Sequence, residues 1–190
     1  MLSIYTLFLF GVAAAAAIRR RQGWQIPLGL LLSAAGDAAG ALGWFLPQMG
    51  LFAAALGCYL CEMVPHARLR ADRMAWLLMW LPLPVGMLLL VRRIESPAEA
   101  VGVALYGSLL LALVAVALLG RGPRWGGYAA AALLFLISDA SIGYARYVEP
   151  LPAADGWTLP PYCAAQALFA LLAAAPCGPG AKGGEKNEKE

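Results

Sequence analysis

Long apolar stretches broken by short clusters of Arg, Pro and Gly dominate this chain. Seven stretches stand out, at 1–18, 24–45, 49–64, 74–91, 99–119, 126–146 and 159–176. A helix that crosses a bilayer needs about 17–25 mostly apolar residues. Period-two alternation is absent, and the stretches are rich in Leu, Ala and Gly, so the pattern predicts helices rather than a barrel. The expected fold is an all-α integral membrane protein, a bundle of about seven transmembrane helices occupying residues 1–176. Residues 177–190, Gly-rich and charged with nothing to bury, are expected to form a disordered cytoplasmic tail.

Composition strengthens this reading. Of the 190 residues, 62% are hydrophobic and 13% charged, against about 45–50% and about 25% in ordinary soluble domains. Charge then orients the bundle. The first stretch is followed, not preceded, by Arg19, Arg20 and Arg21, the reverse of a signal peptide. Those three fall on one side of a seven-helix model, with Arg68, Arg70, Arg73, Arg121, Arg124, Lys182, Lys186 and Lys189. The other side carries Arg92, Arg93 and Arg146. The positive-inside rule gives N-terminus out and C-terminus in, in a multi-pass protein of the bacterial inner membrane. This bias accounts for the net charge of +3, so no nucleic-acid partner is implied.

Two residues break the apolar pattern. Asp37 in LLLSAAGDAAGAL and Asp139 in AALLFLISDASIG have no basic residue on the same stretch. An ionisable group there costs about 2.5–3.5 kcal/mol on insertion scales and by default marks a functional site. Counted from the outer helix ends, Asp37, Cys58, Asp139 and Gln166 all fall roughly 10–14 Å deep. Tyr162 lies one turn from Gln166, Ser33 shares a face with Asp37, and Ser138 precedes Asp139. Gly36 is expected to admit a close neighbouring helix. The plainer reading of each aspartate is packing glue, bonded to a neighbouring hydroxyl. Tyr162 reads equally well as an interfacial belt residue.

Other chemistry finds little support. The one histidine, His66, falls in a loop far from the aspartates, which excludes a Ser–His pair or a His-based metal site in the core. Cys58 and Cys61 form a lone C-x-x-C inside an apolar helix, short of what zinc requires. No lysine precedes Lys182, which excludes a Schiff-base retinal protein, and no phosphate-binding fingerprint is present. No metal and no cofactor is expected.

Three stretches carry a resemblance. ALLFLISDASIGYARY (132–147), LPPYCAAQALFALLA (159–173) and LLLSAAGDAAGAL (30–42) resemble the late Ser-Asp helix, the Tyr-x-x-x-Gln helix and the earlier Gly-Asp helix of the YhhN-type lysoplasmalogenases. The chain departs from that family where Cys58 and Cys61 stand in place of its His and Tyr on the third helix. It also shows seven stretches where typical relatives have eight helices. The resemblance implies cleavage of the vinyl-ether bond of a lysophospholipid drawn from the surrounding membrane lipids, releasing a fatty aldehyde and a glycerophospho-alcohol. Vinyl ethers are opened by acid. An acid working near neutral pH must hold its proton, and apolar surroundings favour the neutral carboxyl, while a second, ionised carboxylate can stabilise the cation. Asp37 and Asp139 are the expected catalytic pair, with Ser138, Tyr162, Gln166 and Cys58 positioning substrate or water. Competing readings are a lipid-binding descendant without catalysis, a small proton-coupled transporter, and an intramembrane aspartyl protease. The last lacks its Gly-x-Gly-Asp and Pro-Ala-Leu signatures here.

Overall fold

A computed structural model describes residues 2–20, 23–67, 82–120, 124–152 and 154–175. Among these residues the fold is all-helical, with seven α-helices. They are α1 (Leu2–Arg20), α2 (Gln25–Ala41), α3 (Phe45–Met63), α4 (Pro82–Val91), α5 (Pro97–Leu119), α6 (Trp125–Tyr147) and α7 (Ala154–Ala174). A 3₁₀ turn at Val64–His66 follows α3. The expected tail at 177–190 and the first part of the 74–91 stretch lie outside the described residues. Among the described residues, four helices are long and apolar enough to cross a membrane: α3, α5, α6 and α7 from Gly156 onward. Shorter apolar segments lie at Leu7–Ala16 and Pro82–Val91.

Local chemistry sets the helix ends. Ser96 caps α5 by accepting the Glu99 amide, and Pro97 occupies the first turn, where its missing N–H costs nothing. The α2–α3 connection turns on Gly43 at φ 76°, a conformation glycine adopts without strain. The Gly43 amide bonds the Gly40 carbonyl and the Trp44 amide bonds Ala39, which closes the end of α2 in a Schellman motif. The start of α6 is tied to the end of α5 by Trp125, whose indole N–H donates to the Ala117 carbonyl at 2.6 Å.

The helices pack along small residues. A Cβ on Gly29 would lie 2.3 Å from the Tyr59 ring, and one on Gly36 would lie 3.1 Å from Phe52. The expected close approach at Gly36 is therefore made by α3. Leu30, Leu56, Tyr59, Leu113, Phe135 and Phe169 fill the centre. By contrast, Phe8, Leu28, Leu105 and Leu171 face outward. Such an apolar exterior suits lipid rather than water. Helix α4 stands apart, since none of its residues is buried.

Candidate functional site

The site begins with the face α2 turns inward. Ser33, Gly36 and Asp37 are all buried, as their spacing of three to four residues requires. From α7, Tyr162 points at the same place, and its hydroxyl donates to Asp37 Oδ2 at 3.0 Å. Phe52 of α3 and Phe135 of α6 pack edge-on against the Tyr162 ring, with centroids 5.9 and 5.7 Å away. Those contacts hold the phenol in one orientation.

Asp139 on α6 has its own tyrosine. The Tyr106 hydroxyl, from α5, donates to Asp139 Oδ2. Each aspartate thus accepts a phenolic hydrogen bond from a helix other than its own. This satisfies part of the carboxyl's demand in an apolar layer and fixes its rotamer.

Both aspartates open into one cavity of about 540 Å³. Tyr106, Ser138 and Tyr162 line it beside them, and the remaining wall is mainly aliphatic, from Met49, Leu83, Met87, Leu90, Leu110 and Leu136. Ser138 is buried and its hydroxyl has no protein hydrogen-bond partner. A buried hydroxyl of that kind is a ready partner for a ligand or a water. The cavity ends at Phe45, Arg93, Arg146, Tyr147 and Thr158, residues at one end of the bundle.

Two of the expected residues lie elsewhere. Gln166 is fully buried beneath Tyr162 and accepts a hydrogen bond from the Tyr59 hydroxyl at 2.8 Å. It is not part of the cavity lining. Cys58 is half-buried on α3 and also outside the lining; its neighbour Tyr59 takes the inward position and stacks on Phe169 at 4.1 Å. Among the described residues no three metal-ligating side chains converge. Tyr59 and Tyr106 were not singled out from sequence. Tyrosine in an Ala/Leu-rich helix carries no mark of its own, and only the partner across the bundle gives it meaning.

An all-helical bundle with an apolar exterior and two tyrosine-bonded carboxyl groups lining one cavity defines a helical membrane protein with a chemically equipped core. The chain belongs to the YhhN family, whose model matches residues 1–173. It is similar to lysoplasmalogenase TMEM86B of Homo sapiens, 33% identical over 160 residues, which cover 76% of this chain and 61% of that protein. The chain therefore spans less than two thirds of the length of this curated relative. No solved structure matches it. The resemblance carried by the three helix motifs is borne out at the level of the family.

Proposed function

We propose that this protein is a lysoplasmalogenase-like hydrolase that opens the vinyl-ether bond of a single-chain lysophospholipid. The observation that carries the reading is the shared cavity, in which Asp37 and Asp139 each accept a hydrogen bond from a tyrosine. Its volume lies within the roughly 300–1,000 Å³ typical of small-molecule sites. Its aliphatic wall suits an alkenyl chain.

The chemistry follows from the carboxyl pair. One aspartate, protonated, delivers its proton to the β-carbon of the vinyl ether, and the electron pair of the double bond forms the new C–H bond. The α-carbon becomes an oxocarbenium ion, which the other, ionised aspartate stabilises. Water held by the Ser138 hydroxyl adds to that carbon and loses a proton to a carboxylate. The hemiacetal then breaks its C–O bond to glycerol, giving the aldehyde and the glycerophospho-alcohol. The two aspartates divide these roles as a coupled pair. Tyr162 and Tyr106 act as positioning residues for Asp37 and Asp139. Gln166 acts at one remove, through its buried hydrogen bond with Tyr59. The same reading has seven spans, N-terminus outside, and the cavity mouth on the outer face.

The test is aldehyde release from lysoplasmenylethanolamine by the detergent-purified full chain, beside its Asp37→Asn/Asp139→Asn double variant. Release that the variant abolishes is expected. Folded wild-type protein that releases no aldehyde would overturn the proposal, and ion flux in proteoliposomes would then favour a carrier.

A further inference from the structure

The hydrolase reading leaves the two guanidinium groups at the cavity mouth without a role. The cavity lining holds four charged side chains, and they are segregated. Asp37 and Asp139 lie in mid-helix. Arg93 sits on the turn after α4, and Arg146 sits in the last turn of α6. Seven residues separate Asp139 from Arg146 on one helix, a rise of about 10 Å. Helical side chains lean toward the N-terminus, which for Arg146 is toward the cavity.

The Arg146 guanidinium is held in place by its surroundings. It lies over the Phe45 ring at 3.8 Å from the centroid, and its edge reaches Glu99 at 3.3 Å and the Tyr147 hydroxyl at 3.2 Å. Those bonds use Nε and Nη2. Nη1 is left over. Arg146 is exposed and Glu99 half-buried, Glu99 keeps a second bond from the Tyr147 hydroxyl at 2.8 Å, and ion pairs open to solvent contribute little. An incoming anion can therefore replace Glu99 at small cost. A guanidinium is suited to a phosphate because it presents two parallel N–H donors to two oxygens.

Resting on the proposed function, we infer that Arg93 and Arg146 form a phosphate subsite that seats the phosphodiester of a single-chain lipid at the mouth. Its chain then runs along the aliphatic wall and its glycerol ether oxygen reaches the aspartates. The glycerol unit between an ether oxygen and its phosphorus is somewhat shorter than the rise from Asp139 to Arg146. The backward lean of the arginine closes that gap. Two arginines at a membrane interface also occur as simple anchors whose heads reach water, and binding measurements separate the two roles.

The experiment compares two single-chain probes of equal acyl chain on the full chain in detergent: lysophosphatidylethanolamine and monoacylglycerol. Neither contains a vinyl ether, so binding is read whether or not aldehyde is ever released. Wild-type protein is expected to prefer the phosphate-bearing probe at least about tenfold. Arg93→Gln and Arg146→Gln should each cut that preference several-fold. Arg146 bridges three helices, so Arg93→Gln, altered on a turn, carries the test if Arg146→Gln does not fold. Equal binding of both probes by the wild type, or an unchanged preference in a folded Arg93→Gln protein, would overturn the subsite. Displacement of the lipid probe by inorganic phosphate at equal concentration would mark a free-anion site instead and overturn the head-group assignment.

Discussion

Asp37 and Asp139 share an environment that neither could create alone. Each carboxyl lines the same largely aliphatic cavity and accepts a phenolic hydrogen bond, from Tyr162 for Asp37 and from Tyr106 for Asp139. If the pair does acid–base work, Asp37→Asn or Asp139→Asn should lower aldehyde release at least about 100-fold while the protein still elutes as folded; near-wild-type release from both would remove the carboxyls from the mechanism. The phenols allow a finer test. A hydrogen bond to a charged group contributes about 1.5–3 kcal/mol, so Tyr106→Phe should cost roughly ten- to a hundredfold in kcat with KM little changed. A change confined to KM would make Tyr106 a substrate contact rather than a positioning residue. Sequence made the aspartates legible because a charge in an apolar stretch stands out whatever the fold. Tyr106 and Tyr59 stayed silent for the opposite reason. On α3 depth alone points to Cys58 and says nothing of which side of the helix faces inward. A helix apolar on every side offers no period to decide it, and packing against Gly29 and Phe169 turns Tyr59 in.

At the scale of helices, each described helix falls within or across one apolar stretch, and the boundary differences fall at glycine and proline: α2, expected to residue 45, ends at Ala41 ahead of the Gly43 turn. Helix α3 was expected from residue 49 and begins at Phe45, with Pro47 in its first turn. That turn has no amide obligations, so proline does not delay the start. Helix α7 was expected from residue 159 and begins at Ala154, with Pro160 and Pro161 inside it. Neither proline can donate to the carbonyl four residues back, at Gly156 and Trp157, and both fall in the opening turns, where a helix loses least by that. The α2–α3 pair carries the sharpest element-level prediction. A Cβ at Gly29 would meet the Tyr59 ring at 2.3 Å. Tyr59 is fixed by Phe169 and Gln166 and has nowhere to go. Gly29→Ala is therefore expected to destabilise the bundle by about 1–3 kcal/mol, seen as a lower melting temperature in detergent. An unchanged melt would mean that α2 and α3 slide apart freely, and the buried Tyr59–Gln166 link would lose its role in holding the site.

Taken whole, the molecule is a tight cluster of helices with one loosely attached member. Helix α4 buries none of its residues, yet Leu83, Met87 and Leu90 form one wall of the cavity. It meets α5 where Met87 lies over Gly107 and α6 where Leu90 lies over Gly143. No sequence pattern could show this, since α4 is as apolar as any of its neighbours and its thin packing is a property of the assembly. A single lipid chain lying between α4 and the rest would supply apolar contacts that the protein alone does not make there. Ligand that binds only the folded protein stabilises it by about 2.7 kcal/mol at a hundred times Kd. For a chain of this size each kcal/mol shifts the melt by roughly 2–4 °C. A saturated ether lysolipid, which has no vinyl bond to cleave, should therefore raise the apparent melting temperature by roughly 5–10 °C at that excess. The Asp37→Asn/Asp139→Asn protein should show the same rise, because the chain contacts α4 and the aliphatic wall rather than the carboxyls. A rise lost in the double variant would mean that the aspartates bind lipid as well as act on it. No rise in either protein would leave the cavity without the occupant for which its aliphatic wall is suited, and with it the case for a lipid substrate.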